Sequence, residues 1–237
     1  HLIPELYQIQ KSAKTVKVGA RVSLSELRVF IQKLVPEFST FLDLFASPQI
    51  KNSATLIGNI GNASPIADTP PFLLTANTVL HIVGPKGKRK LPFEKYYLGY
   101  RKTALKPCEL ISSIEFEIPR KNSTLKLYKV SQRKDLDISA INTAIHVEWA
   151  KSGQPMIGAI KIAFGGVAAT PVRVPKTETF LKGKTITGGV HDETLKRAVE
   201  LIQTEITPLD DLRGSGRFRR VLAQNLFLKF FREEVKS

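Results

Sequence analysis

The sequence predicts an α+β chain built as two successive units. Three observations predict it: short runs that alternate apolar and polar residues in both halves, a turn flanked by two such runs, and helical apolar stripes gathered at the C-terminal end. With 237 residues, 42% of them hydrophobic and 24% charged, the chain is long enough for each unit to bury a core of its own.

In chain order, TVKVGA (15–20) alternates as a strand. Ser23 and Glu26 form a capping box for a helix that places Leu24, Leu27, Ile31 and Leu34 on one face, and Pro36 is expected to end it. FSTFLDLFA follows as a second helix, with Phe38, Phe41, Leu42 and Phe45 at helical spacing. Phe45 is then either core or the edge of the segment that follows. TVLHIVG and KRKLPF flank the turn-prone GPKGKRK and read as a hairpin, and ISSIEFEIP closes the first unit as a strand.

The polar stretch PRKNS (119–123) is the predicted boundary, giving units 1–119 and 124–232. Beyond it STLKLYKVS, AINTAIHVEWA and IGAIKIAFGG read as three antiparallel strands, the last two joined by KSGQP. Asp192 caps a helix with the stripe Leu195, Ala198, Val199 and Ile202. Ser215 caps the last, with Phe218, Leu222, Leu226 and Phe230.

The most informative segment is KNSATLIGNIGNASPIADTP (51–70), rich in small, hydroxyl and amide side chains. It is expected to be a ligand-contacting loop. Gly58 and Gly61 would take positive φ and allow a close backbone approach, with Ser53, Thr55, Asn59, Asn62 and Ser64 as short hydrogen-bonding arms. Asp68 would accept from ligand hydroxyls or cap the following chain. A purely structural loop has the same composition.

Composition narrows the classes. No apolar run approaches the ~18 residues that span a bilayer, so no membrane is expected. One cysteine, Cys108, excludes an internal disulfide and a cysteine-ligated zinc or iron-sulfur site, and fits a cytoplasmic location. The histidines at 1, 81, 146 and 191 lack metal-ligand spacing. The 36 basic residues exceed the 21 acidic ones by 15, but the densest cluster, Lys86 to Lys90, has no interleaved aromatics, so nucleic acid is not an expected partner. The positive excess is expected to concentrate anionic dinucleotides near a site.

Five blocks in order, IKNSATLIGNIGNASPIADTPP, YRKTALKPCELISSIEFEIP, YKVSQRKDLDIS, IAFGGVAATPVR and RGSGRFRRVLAQNL, resemble the flavoprotein subunits of the molybdenum hydroxylase family, most like its bacterial xanthine dehydrogenase branch. The resemblance implies the second subdomain of a PCMH-type FAD-binding domain, then a C-terminal domain of the CO dehydrogenase flavoprotein kind, a three-stranded antiparallel sheet with a helical bundle. It implies FAD as cofactor, bound by Phe45, Thr55, Gly58, Asn59, Asn62, Asp68, Ile111 and Lys129, with Tyr100 and Arg101 near the dinucleotide entrance and Asp137 in a loop that screens the flavin.

The implied activity is that of an FAD-dependent oxidoreductase subunit with no catalytic side chain of its own. Electrons from a molybdenum-cofactor large subunit would pass through an iron-sulfur domain to FAD and on to NAD. Two departures stand out: Ile57 occupies a position where the family usually has glycine, and no segment matches the family's earlier GGT-D loop. The opening HLIPEL resembles the point just past the first FAD subdomain, and the iron-sulfur domains have no counterpart. A fragment is therefore expected, one that holds FAD weakly and is inactive alone. The alternatives are a medium subunit of the carbon monoxide dehydrogenase kind and a non-enzymatic scaffold that lost FAD.

Overall fold

A computed structural model of the chain describes residues 3–133, 136–150, 155–187 and 192–235. Most of KSGQP, together with His1 and His191, lies outside the described residues.

The first unit is a five-stranded antiparallel sheet covered on one face by helices. Its strands are β1 (Ile9–Lys11), β2 (Thr15–Gly19), β3 (Val79–Gly84), β4 (Gly87–Pro92) and β7 (Leu110–Glu117), in spatial order β1-β2-β7-β3-β4. The short pair β5 (Tyr97–Gly99) and β6 (Lys102–Thr103) forms a separate ribbon. Alternation decides the faces: Val16, Val18, Leu80, Ile82, Ile114 and Phe116 are buried together, while Lys17, His81 and Glu115 lie on the other side.

The helices covering this core are α1 (Leu24–Ile31), α2 (Pro36–Asp43), α3 (Pro48–Ser53), α4 (Leu56–Gly61) and α5 (Pro70–Thr75). The capping box at α1 is present in full, Ser23 accepting from Glu26 N while Glu26 accepts from Ser23 N at 2.8 Å. Pro36 corrects the expectation: α1 stops at Ile31, and the proline opens α2 at its first turn, where its missing N–H costs nothing.

The second unit holds β8 (Ser123–Val130), β9 (Ile141–Trp149), β10 (Ile157–Gly165) and β11 (Val172–Arg173), antiparallel in the order β11-β10-β9-β8. The two-residue β11 extends the expected three strands to four. α6 (Pro175–Leu181), α7 (Glu193–Glu205) and α8 (Gly216–Glu234) close its core. In α7 the predicted stripe is buried at Leu195, Ala198 and Ile202. In α8, Phe218 is 44% exposed, contrary to expectation. Leu226 and Phe230 are buried and Leu222 packs against the core as expected, but the inward face widens to take in Arg219, Ala223, Phe227 and Phe231, one residue onward from the predicted stripe.

The units share packing. α5, buried at every residue, lies against β9 and β10, and Leu125 and Ala163 of the second unit belong to the first core.

Candidate functional site

The segment 51–70 folds back on itself instead of running as an open loop. Leu56 and Ile60 are buried, and their four-residue spacing holds the intervening residues in α4 despite the glycines. Thr55 is the N-cap, its hydroxyl accepting from Gly58 N at 2.9 Å. Gly58 and Gly61 therefore lie in helical backbone, and the positive φ expected of them is not found. What Gly58 contributes is space: a Cβ there would meet only the Thr55 hydroxyl, at 3.2 Å. Ile57 is likewise helical and packs against the first core, so it does not occupy a phosphate-facing strained position.

A cleft of about 1120 Å³ runs between the two units. One wall comes from Phe45, Thr55, Gly58, Asn59, Asn62, the turn 64–68, and the Tyr100–Arg101 turn. The other comes from Lys129, residues 136–139, the 209–213 loop and Arg219. Seven of the eight expected binding residues thus meet in one place. Ile111 does not: it is 4% exposed on β7 opposite Ile82, inside the first core, and does not line this cleft.

The residues brought together have distinct duties. Asn59 is committed to structure, its Oδ1 accepting from Thr69 N at 3.3 Å and Thr69 Oγ1 at 2.7 Å. The exposed Asn62 makes no side-chain hydrogen bond among the described residues. Asp68, expected to offer its carboxylate to ligand hydroxyls, lines the cleft and is engaged by donors of the protein itself. Its Oδ2 accepts from Lys129 Nζ at 2.8 Å, and its Oδ1 accepts from the Ser139 hydroxyl and from Asn142 Nδ2 at 3.0 Å. Three donors take up most of a carboxylate's capacity.

Asp137 folds onto its own loop, accepting from the N–H groups of Arg133 and Ile138 at 2.8 and 2.9 Å. Those bonds, the Arg133 N–H foremost, hold its carboxyl below the usual range.

Four residues that sequence reasoning did not single out complete the site. Ser139 and Asn142 hold Asp68. Arg219, 3% exposed, donates to Gly166 O and Leu209 O at 3.3 Å and to Asp211 at 2.6 Å, fixing the 209–213 loop. Burial disfavours the charged form of Asp211, but the Arg219 guanidinium and the Arg213 N–H outweigh it and bring its pKa down. Ser139 and Arg219 fall within the blocks DLDIS and RGSGRFRR, whereas Asn142 and Asp211 lie outside them and no local pattern marks either one.

Strained backbone gathers here too: Ala46 (φ 45°), Arg101 (φ 53°) and Leu136 (φ 54°) line the cleft, and Ala63 (φ 48°) adjoins it. The cleft carries four basic side chains, Arg101, Lys129, Arg213 and Arg219, against four acidic ones, Asp68, Asp137, Asp210 and Asp211. It is not the positive funnel expected from the net charge. The basic Lys86–Lys90 turn belongs to a separate groove on the outer face of the first sheet, lined by Lys17, His81, Lys88 and Lys90.

The family of the FAD binding domain in molybdopterin dehydrogenase matches residues 1–121, and the CO dehydrogenase flavoprotein C-terminal domain matches residues 126–234. The chain belongs to this flavoprotein family. Xanthine dehydrogenase of Oryza sativa subsp. japonica is 32% identical over 97% of the chain, and xanthine dehydrogenase/oxidase of Gallus gallus 30% over 97%. The chain spans 18% of the length of each of these curated relatives.

Among solved structures, the carbon monoxide dehydrogenase from Hydrogenophaga pseudoflava aligns with a TM-score of 0.87 at 25% identity, covering 96% of this chain and 77% of that one. Quinoline 2-oxidoreductase from Pseudomonas putida 86 aligns at 0.85 and 26%, covering 98% and 78%. Among the described residues no helix is long and apolar enough to cross a membrane, and no cluster of His, Cys, Asp or Glu could hold a metal ion.

Proposed function

We propose that this chain is the FAD-binding part of a molybdenum hydroxylase of the xanthine dehydrogenase type. Its two units, 1–119 and 124–232, would clasp the cofactor between them. The observation that carries the reading is the cleft itself, which gathers Phe45, Thr55, Gly58, Asn62 and Lys129 from both units. The residues present fit the cofactor. The volume of about 1120 Å³ exceeds the ~300–1,000 Å³ of ordinary small-molecule sites, as a dinucleotide requires. The wall also offers a glycine without a Cβ beside a free amide.

Gly58 would let the ligand approach the backbone of α4, while Asn62 and Ser64 would donate or accept at its polar groups. Phe45 and Tyr100 would exclude water from the ring. Lys129, held by Asp68, would keep a positive charge at Nζ on the cleft wall. When bound, FAD supplies the redox chemistry, taking electrons from iron-sulfur clusters and passing them to NAD. No side chain of this chain acts as nucleophile or general base. The partners would be a molybdenum-cofactor subunit or domain and an iron-sulfur domain, in the cytoplasm, where a single Cys108 fits reducing conditions.

A second reading, a medium subunit of the carbon monoxide dehydrogenase kind, is favoured by the TM-score of 0.87. It keeps the flavin role and changes the substrate. The test is to purify the full-length protein with its partner domains, measure flavin per chain by absorbance, and follow NADH formation with xanthine and with carbon monoxide. One flavin per chain with xanthine-dependent NADH supports the first reading. Carbon monoxide oxidation without xanthine turnover supports the second, and a protein free of flavin contradicts both.

A further inference from the structure

The site holds one buried amide whose geometry is unusually constrained. Asn142, on β9, is fully buried and lies under the turn 66–68 of the other unit. Its Nδ2 donates to Asp68 Oδ1 at 3.0 Å, Ala67 O at 3.2 Å and Ile66 O at 3.4 Å. Three acceptors on that side leave no alternative orientation, because a flipped amide would set its own oxygen against all three. The opposite oxygen, Oδ1, has no partner and abuts Gly165, where a Cβ would come within 2.3 Å of it. A buried acceptor left unsatisfied is costly, and this amide bears that cost while its two N–H hydrogens are shared among three acceptors on the other side.

What it fixes is Asp68. With Oδ1 occupied by Asn142 and Ser139, Oδ2 is left facing Lys129. We propose that Asn142 is a positioning residue for the flavin site: acting through Asp68, it sets where the Lys129 ammonium stands on the cleft wall. The inference rests on the FAD reading above. Gly165 is part of the same device, since any larger residue would displace the amide.

The test is Asn142→Asp in the full-length protein, with FAD affinity measured by fluorescence quenching between about pH 5.5 and 8.5. The charged groups facing position 142 are Asp68 and, beyond it, Lys129; Arg219 reaches the adjoining Gly166 carbonyl. A protonated acid at 142 still has one donor for Asp68, whereas an ionised one repels it. The variant is therefore expected to bind FAD within about threefold of the parent at the acid end, and at least tenfold more weakly at the alkaline end, where the parent profile stays flat.

A second measurement separates positioning from plain scaffolding. In a Lys129→Met background the same Asn142→Asp change is expected to add less than about threefold, because the group it positions is gone. Parent-like FAD affinity at all pH values, an equal loss in both backgrounds, or failure to fold at every pH overturns the proposal. A parent that takes up no FAD overturns the cofactor reading instead.

Discussion

Lys129 and Asp68 meet across the seam between the two units, Nζ lying 2.8 Å from Oδ2 with side chains only 7% and 9% exposed. Nζ also lies 3.4 Å from Leu44 O, and the carboxylate is further held by Ser139 and Asn142. A pair this enclosed is held in place by the cost of separating it. Removing one partner strands the other charge out of water.

Asp68→Ala is accordingly expected to unfold the protein more readily, by about 3–5 kcal/mol, since it leaves Lys129 buried and unpaired. Urea unfolding of parent and variant checks it. A loss below about 1 kcal/mol would mean that Lys129 reaches solvent or another partner when Asp68 is gone.

Ile57→Gly should cost about 2 kcal/mol, combining the helix propensity of glycine with lost packing against the first core. It should not tighten FAD binding, because the residue serves the core and not the ligand. Melting curves and flavin titration of this variant decide between those roles. Tighter binding with unchanged stability would contradict the placement.

Glu109 gives a pH prediction. Arg89 donates to it at 2.8 and 2.6 Å and Lys106 N at 2.7 Å, and these bonds, the Arg89 guanidinium first, hold its carboxyl at about 2, below the ordinary 4.5. A depressed acid stabilises the fold above its unfolded pKa and loses that contribution as pH falls through the folded one. The stability gap between parent and Glu109→Gln should therefore be full above pH 4.5, narrow below it, and vanish under about 2. Unfolding transitions at a series of acid pH values measure the gap. A gap that does not change with pH would show that the pair contributes through packing alone.

Local grammar was legible where one residue and its near neighbours decide the outcome. The capping box at Ser23, the hairpin β3–β4 and the caps at Asp192 and Ser215 all form as read. The reading failed where distant packing overrode propensity. Glycine, asparagine and serine suggested a loop at 51–70, but buried Leu56 and Ile60 impose a helical turn. Phe218 matched the helical period of α8, yet the buried Arg219 and Phe227 set the inward face. Nothing local could pair Asp68 with a lysine 61 residues away and an amide 74 away. Resemblance had placed Asp68 and Lys129 at one ligand, and only the three-dimensional arrangement makes them each other's partner.

FAD bound in the cleft would lie against α4, where Gly58 leaves its backbone open to the ligand. A Cβ there meets only the Thr55 hydroxyl, at 3.2 Å, and position 58 lines the cleft, so added bulk acts chiefly on the cleft side. FAD titration of the full-length protein and its Gly58→Val variant, each first shown to melt cooperatively, is the measurement. The account predicts stoichiometric binding by the parent and a loss of at least ~1 kcal/mol, about fivefold in Kd, in the variant. Equal affinity for the two proteins would contradict it and place the flavin away from this cleft.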